Sequence, residues 1–156
     1  MRFIKQDSTG AWTLDEYIRY VDTIKSKLSS DALALAGIER IDFFSLKSLH
    51  DADFSGFAVG FEKPLEGKGV RVEIYLTAPS GIRTMKIQYH DVLEYQIGNI
   101  QYYHDLLVHE LTLGDEGELV HEILFSNGRV IKIRARDLSF TERTNNRRKK
   151  TKRNEK

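Results

Sequence analysis

Each of the chain's five histidines is followed directly by an acid: His50-Asp51, His90-Asp91, His104-Asp105, His109-Glu110 and His121-Glu122. An imidazole beside a carboxylate is raw material for metal-assisted hydrolysis and for general-base catalysis. His-Asp dipeptides supply metal ligands in some phosphohydrolases, where they belong to a helical domain. Here they fall at strand ends and turns. Neighbouring side chains in a strand point to opposite faces, so His109 and Glu110 cannot chelate one ion together. The candidate metal pair is His109 with His121, diagonal on adjacent strands in the register argued below. Zinc takes three or four protein ligands and the sequence fixes no third, so the reading taken is two core-edge histidines hydrogen-bonded to backbone or water. The chain contains no cysteine, which removes disulfides, thiolate sites and a cysteine nucleophile. There is no GxSxG elbow, GxGxxG or P-loop, and Ser55-Gly56 and Ser80-Gly81 read as turn or bulge chemistry. The expectation is a non-enzymatic protein without cofactor or resident metal.

The elements that must position these residues centre on Leu106 to Arg136. Leu107 to Leu113, Glu118 to Phe125 and Arg129 to Arg136 read as three antiparallel strands. Gly114-Asp115-Glu116-Gly117 can close as a type I turn with Gly117 left-handed, pairing Gly114 with Glu118. That register puts Leu107, His109, Leu111 and Leu113 on one face with Leu119, His121, Ile123 and Phe125. A slip of one residue would mix apolar and charged positions. The same bulged geometry at Ser126-Asn127-Gly128 pairs Phe125 with Arg129 and adds Ile131, Ile133 and Ala135 to the apolar face. It sets Glu122 opposite Lys132 and Glu118 opposite Arg136 outside, where each pair contributes about 0.2–1 kcal/mol.

Upstream, Thr13-Leu14-Asp15-Glu16 reads as a capping box with Trp12 as hydrophobic staple. Leu14, Tyr17, Ile18, Val21, Ile24 and Leu28 form a helical stripe that ends at Ser29-Ser30-Asp31. Glu39 to Leu46 and Phe54 to Phe61 read as strands, the second bent at Gly56 and Gly60. Val70 to Thr77 alternates cleanly, and Thr84 to Tyr89 with Val92 to Ile97 forms a strand or kinked pair. Tyr102 and Tyr103 sit in a connection. The fold class expected is α+β, mainly antiparallel β, with one N-terminal amphipathic helix packed on a twisted meander, as a sheet or partly closed sandwich. Without βαβ alternation no Rossmann-type nucleotide site is expected.

At 156 residues, 40% hydrophobic, the chain can bury one core. Lys and Arg number 24 and Asp and Glu 23; eight and two of these lie in residues 141–156. The last sixteen residues therefore carry +6 and residues 1–140 carry −5. The division expected is a single domain over 1–140 and a basic disordered tail over 141–156. Arg147, Arg148, Lys149, Lys150, Lys152 and Arg153 are the residues that would contact phosphates if the tail bound nucleic acid. Met1 to Asp7 lacks the apolar region of a signal peptide and no apolar run reaches membrane-spanning length. A cytoplasmic location is expected.

One resemblance rests on Ser48-Leu49-His50-Asp51-Ala52, leading into Asp53 to Phe61, and on Leu124-Phe125-Ser126-Asn127-Gly128-Arg129-Val130-Ile131 in the closing hairpin. Over roughly Leu49 to Phe140 the chain resembles small bacterial immunity proteins of polymorphic-toxin systems and the uncharacterised domains grouped with them. That resemblance implies a non-enzymatic cytosolic protein whose partner is another protein, a cognate toxin that it neutralises. It also implies that the Leu-His-Asp segment ties a strand start and does not transfer as a binding site.

Overall fold

The structure is a computed structural model, and it describes residues 1–63, 68–98 and 104–144. Two short strands, β1 (Lys5–Gln6) and β2 (Trp12–Thr13), precede helix α1 (Asp15–Ile24), a 3-10 turn, α2 (Ser30–Ala36) and α3 (Ile38–Ile41). Six long strands follow: β3 (Asp53–Lys63), β4 (Lys68–Thr77), β5 (Arg83–Gln96), β6 (Leu106–Leu113), β7 (Leu119–Phe125) and β8 (Val130–Thr144). They form one antiparallel sheet in the order β3-β4-β5-β8-β7-β6. The two edge strands meet at their first residues, where Asp53 bridges Asp105 and Leu106 N donates to the Ala52 carbonyl at 2.9 Å. The sheet therefore curls until its edges touch at one corner, with Phe54 packed edge-on to Phe125 across the join.

Both turns of the meander follow the alternation and glycine chemistry of the sequence. Gly114 N donates to the Glu118 carbonyl and Phe125 N to the Arg129 carbonyl, with Gly117 at φ 80 and Gly128 at φ 79. Leu111, Leu119, Ile123, Ile131 and Ile133 are all buried on the inner face. Glu122 stands opposite Lys132 with the ion pair at 3.0 Å. A Cβ at Gly114 would meet the Glu118 carboxylate at 2.2 Å, so any larger residue there would displace that side chain. Leu107 departs from the expected face, because a register shift between Leu106 and Val108 puts Leu106 opposite Phe125.

Helix α2 closes the inner face, with Ala32, Leu35 and Ala36 in the main core beside β4, β5 and β8. A second cluster joins Ile4, Tyr17, Ile41 and Val108 at the β6 edge. There the Tyr17 hydroxyl accepts from Leu111 N and donates to Leu111 O, and the Tyr20 hydroxyl accepts from Leu113 N. Two tyrosines of α1 thus satisfy edge groups of β6 that a neighbouring strand would otherwise pair.

Several expectations are corrected. Glu39 to Leu46 is α3 and a loop, not a strand. The Thr13–Glu16 capping box does not form: Thr13 lies in β2, donates to the Lys5 carbonyl, and Glu16 pairs with Lys5. Ser29 does not simply end a helix. It opens α2, its hydroxyl accepting from Ala32 N, because Ser followed by Asp31 in the first turn is itself a start signal. Of the two readings after Thr84, one strand or a kinked pair, the structure takes the first: β5 is continuous, bent where Asp91 takes φ 47 and the pairing with β8 shifts between Val92 and Glu94. Gly56 sits at a bulge, whereas Gly60 pairs regularly with Arg71. Strand β8 continues past Phe140 to Thr144, since Thr141, Glu142, Arg143 and Thr144 pair with β5.

The outer face is not uniformly solvated. Glu110 and Glu118 are buried there. The Glu110 carboxylate accepts the backbone N–H groups of Arg2, Phe3 and Ile4, each at 2.8 Å. The Met1 amino group pairs with Glu122 at 2.6 Å. The N-terminal segment therefore lies along the β6–β7 end of the outer face. Among the described residues no helix is long and apolar enough to cross a membrane.

Candidate functional site

The register brings the histidine pair together, as the alternation required. His121 stands opposite Leu111 and His109 opposite Ile123, so the two are diagonal and both are buried. The Tyr89 hydroxyl lies 2.6 Å from His121 Nδ1, and His121 Nε2 lies 3.1 Å from His109 Nδ1. Read in one direction, Tyr89 donates to His121 and His121 donates to His109, which leaves a proton on His109 Nε2. That nitrogen has no hydrogen-bond partner. Burial lowers the His109 pKa to about 4, and burial together with the neighbouring His109 holds His121 well below the usual histidine range. Both rings are neutral at pH 7. The described residues contain no group of three or more His, Cys, Asp or Glu side chains arranged for a metal ion. This arrangement supplies a polar chain sealed in the core, with no access for substrate.

The other histidines are dispersed. His50 Nδ1 bonds the Leu107 carbonyl at 2.8 Å while Asp51, at φ 59, donates its N–H to the Leu106 carbonyl. The Leu49-His50-Asp51 segment thus ties the start of β6. His104 is exposed beside the β6 start, and His90 lies on the outer face of β5. Tail residues Arg147, Arg148, Lys149, Lys150, Lys152 and Arg153, like Tyr102 and Tyr103, lie outside the described residues.

What the sequence reading missed is the loop between α3 and the β3 corner. Phe44 is 95% exposed and Leu46 97% exposed. Their backbone is nevertheless pinned. Asp42 Oδ1 accepts from Phe44 N, Ser45 N donates to Asp42 O, Ser45 Oγ accepts from Lys47 N, and Ser48 N donates to Ser45 O. Two arginines clamp the far side: Arg40 reaches the Lys47 carbonyl at 2.9 Å, and Arg83 reaches the Leu46 and Ser48 carbonyls at 2.8 and 2.6 Å. Glu142 neutralises both guanidiniums, at 2.7 Å from Arg40 and 3.5 Å from Arg83. Beside the loop opens a cavity of about 370 Å³, lined in part by Phe43, Leu46, His50, Ile82 and Thr144. Ile82 is also largely exposed. A signal for this loop was present in Asp42, Ser45 and Ser48, whose side chains form local turns and compete with a strand ladder. The apolar pattern of Phe43, Phe44 and Leu46 outweighed it.

Comparison of the chain with protein-family models, with curated proteins and with solved structures finds no match.

Proposed function

We propose that this chain is a non-enzymatic protein-binding module, of the immunity type, that binds and neutralises a cognate toxin through the Asp42–Leu49 loop. The observation that carries the reading is the pinned loop with Phe44 and Leu46 in water. Fully burying such side chains is favourable by about 1.5–3 kcal/mol each. A flexible loop would lose much of that gain to ordering, whereas one already fixed by the Arg40 and Arg83 clamps loses little. The resemblance over Leu49 to Phe140 names the class of partner, and the −5 charge of residues 1–140 complements a basic toxin.

The test is purification of the tagged chain from its source cells at moderate salt. The expected result is one stoichiometric polypeptide that arrests growth when expressed alone and is silent when this chain is co-expressed. Recovery of nucleic acid instead, released on deletion of residues 145–156, would favour a nucleic-acid accessory role for the basic tail and contradict the proposal.

A further inference from the structure

Three strands of the sheet place an acid, a histidine and a serine in line on the outer face, away from the loop described above. His90 on β5 bonds Glu62 of β3 through Nδ1 and Ser139 of β8 through Nε2, the latter at 3.1 Å. The three residues are 28 and 49 positions apart, so no local motif announces them. Strand β4 lies between β3 and β5, and a side chain on it would block the crossing. Glu62 falls between the pairs Phe61–Val70 and Lys63–Lys68, across from Gly69. A Cβ on Gly69 would meet Asp91 Oδ1 at 2.6 Å and Glu62 Oε2 at 3.2 Å. The glycine therefore leaves the gap through which Glu62 reaches His90. Asp91, in a left-handed conformation at φ 47, marks the bend of β5 beside the histidine. His90 and Ser139 remain partly open to water.

We propose that Ser139 is an activated nucleophile that accepts an acyl group from small activated esters or thioesters, with His90 as its general base and Glu62 as the group that orients the base. The arrangement meets the geometric signature of such a site: nucleophile and base within hydrogen-bond reach, and the base held from behind by a third group. In the step, Ser139 Oγ attacks the acyl carbon and its proton passes to His90 Nε2. The bond from carbon to the leaving oxygen or sulfur breaks, and the proton is returned to that leaving group. The products are acyl-Ser139 and a free alcohol or thiol. Gln88 stands directly opposite Ser139 in the register, and its side-chain oxygen is held by Lys86 at 2.8 Å. The amide nitrogen of Gln88, on the strand beside Ser139, is then a side-chain donor for a developing oxyanion. Within a β ladder the backbone N–H groups of these strands are already engaged, so the site is suited to a single acylation event more than to fast turnover.

The experiment treats the whole chain with p-nitrophenyl acetate and, separately, with a fluorophosphonate probe, and maps modified residues by peptide mass spectrometry. Ser139 is expected to be labelled to near one equivalent. Its rate should exceed that of Ser55 and Thr141, hydroxyls on the same sheet that lack a histidine, by ~100-fold or more. Ser139→Ala should abolish the label, and His90→Gln and His90→Asn should slow it by a similar factor. Glu62→Gln should slow it less. Melting temperatures within a few degrees of wild type qualify each variant, and two substitutions at His90 guard against one that does not fold. Labelling of Ser139 no faster than of Ser55 or Thr141, or unchanged in both folded His90 variants, would overturn the assignment and leave a surface hydrogen-bond network.

Discussion

The β6–β7–β8 meander and the Asp42–Leu49 loop are both held tightly, and they use rigidity to opposite ends. In the meander, two bulged turns fix the register so that Leu111, Ile123, Ile131 and Phe125 are sealed inside. In the loop, local turns and the Arg40 and Arg83 clamps fix the backbone so that Phe44 and Leu46 stay outside. Exposure in the loop is therefore not a sign of missing structure. Under the proposed reading, those two apolar side chains, held in water by a defined backbone, are the anchors offered to a partner.

That contrast breaks most severely if the meander is not the core. Ile123→Ala is expected to cost about 2–5 kcal/mol in a denaturant melt, because the site is fully buried in the main core between β6 and β8. Leu46→Ala measured alongside should be near zero. Equal costs would erase the distinction between the regions.

Next in size is an acid sensitivity confined to the core. His109 is held neutral in the folded protein, with its pKa lowered by burial from 6.5 to about 4. The unfolded chain takes up that proton near pH 6.5 and the folded chain does not. The stability it contributes is complete above pH 6.5 and is lost as pH falls from 6.5 to 4, by about 3 kcal/mol. His121 works in the same direction. Melts across this range should show the slope, and His109→Gln should flatten it. A flat wild-type profile would place the pair outside the sealed core.

The meander was legible in the sequence and the loop was not, for a physical reason. Alternation with period two, together with Gly117 and Gly128 in left-handed turns, determines a hairpin from within some thirty residues. The shape of Asp42–Leu49 depends on Arg83 and Glu142, which lie far along the chain. Helix α2 was hidden for a related cause: Ser29 both ends one helical turn and caps the next. The outer face reads as salt-laced, with Glu118 opposite Arg136, and nothing local in the sequence shows that Glu110 and Glu118 are buried. Their partners, the first residues' N–H groups and Arg134, come from elsewhere. The register reads the histidine pair as diagonal, which it is, but the rings are fully buried and bond each other and Tyr89 instead of the backbone or water expected, and Tyr89 on β5 reaches across β8, beyond any local pattern. The Glu62–His90–Ser139 line was invisible for the same reason.

Smaller effects sharpen the account. Glu110→Ala leaves three backbone donors without their carboxylate, one of them buried at Ile4, and is expected to cost about 1–3 kcal/mol and to raise amide exchange at residues 2–4. Unchanged exchange would show that the N-terminal segment is held by its apolar contacts alone. Gly117→Ala meets open space but forces a side chain onto φ 80, so about 1 kcal/mol is expected from backbone strain. A cost near zero would indicate that the turn relaxes and that the register has other anchors.

The smallest expected change in stability belongs to the residues assigned the largest role. Phe44→Asp with Leu46→Asp removes no packing inside the fold, so the double variant should melt with the wild-type protein. Its affinity for the co-purified protein partner, measured by calorimetry, should fall at least 100-fold. An unchanged melting temperature with unchanged affinity would contradict the central claim that the pinned loop is the binding surface.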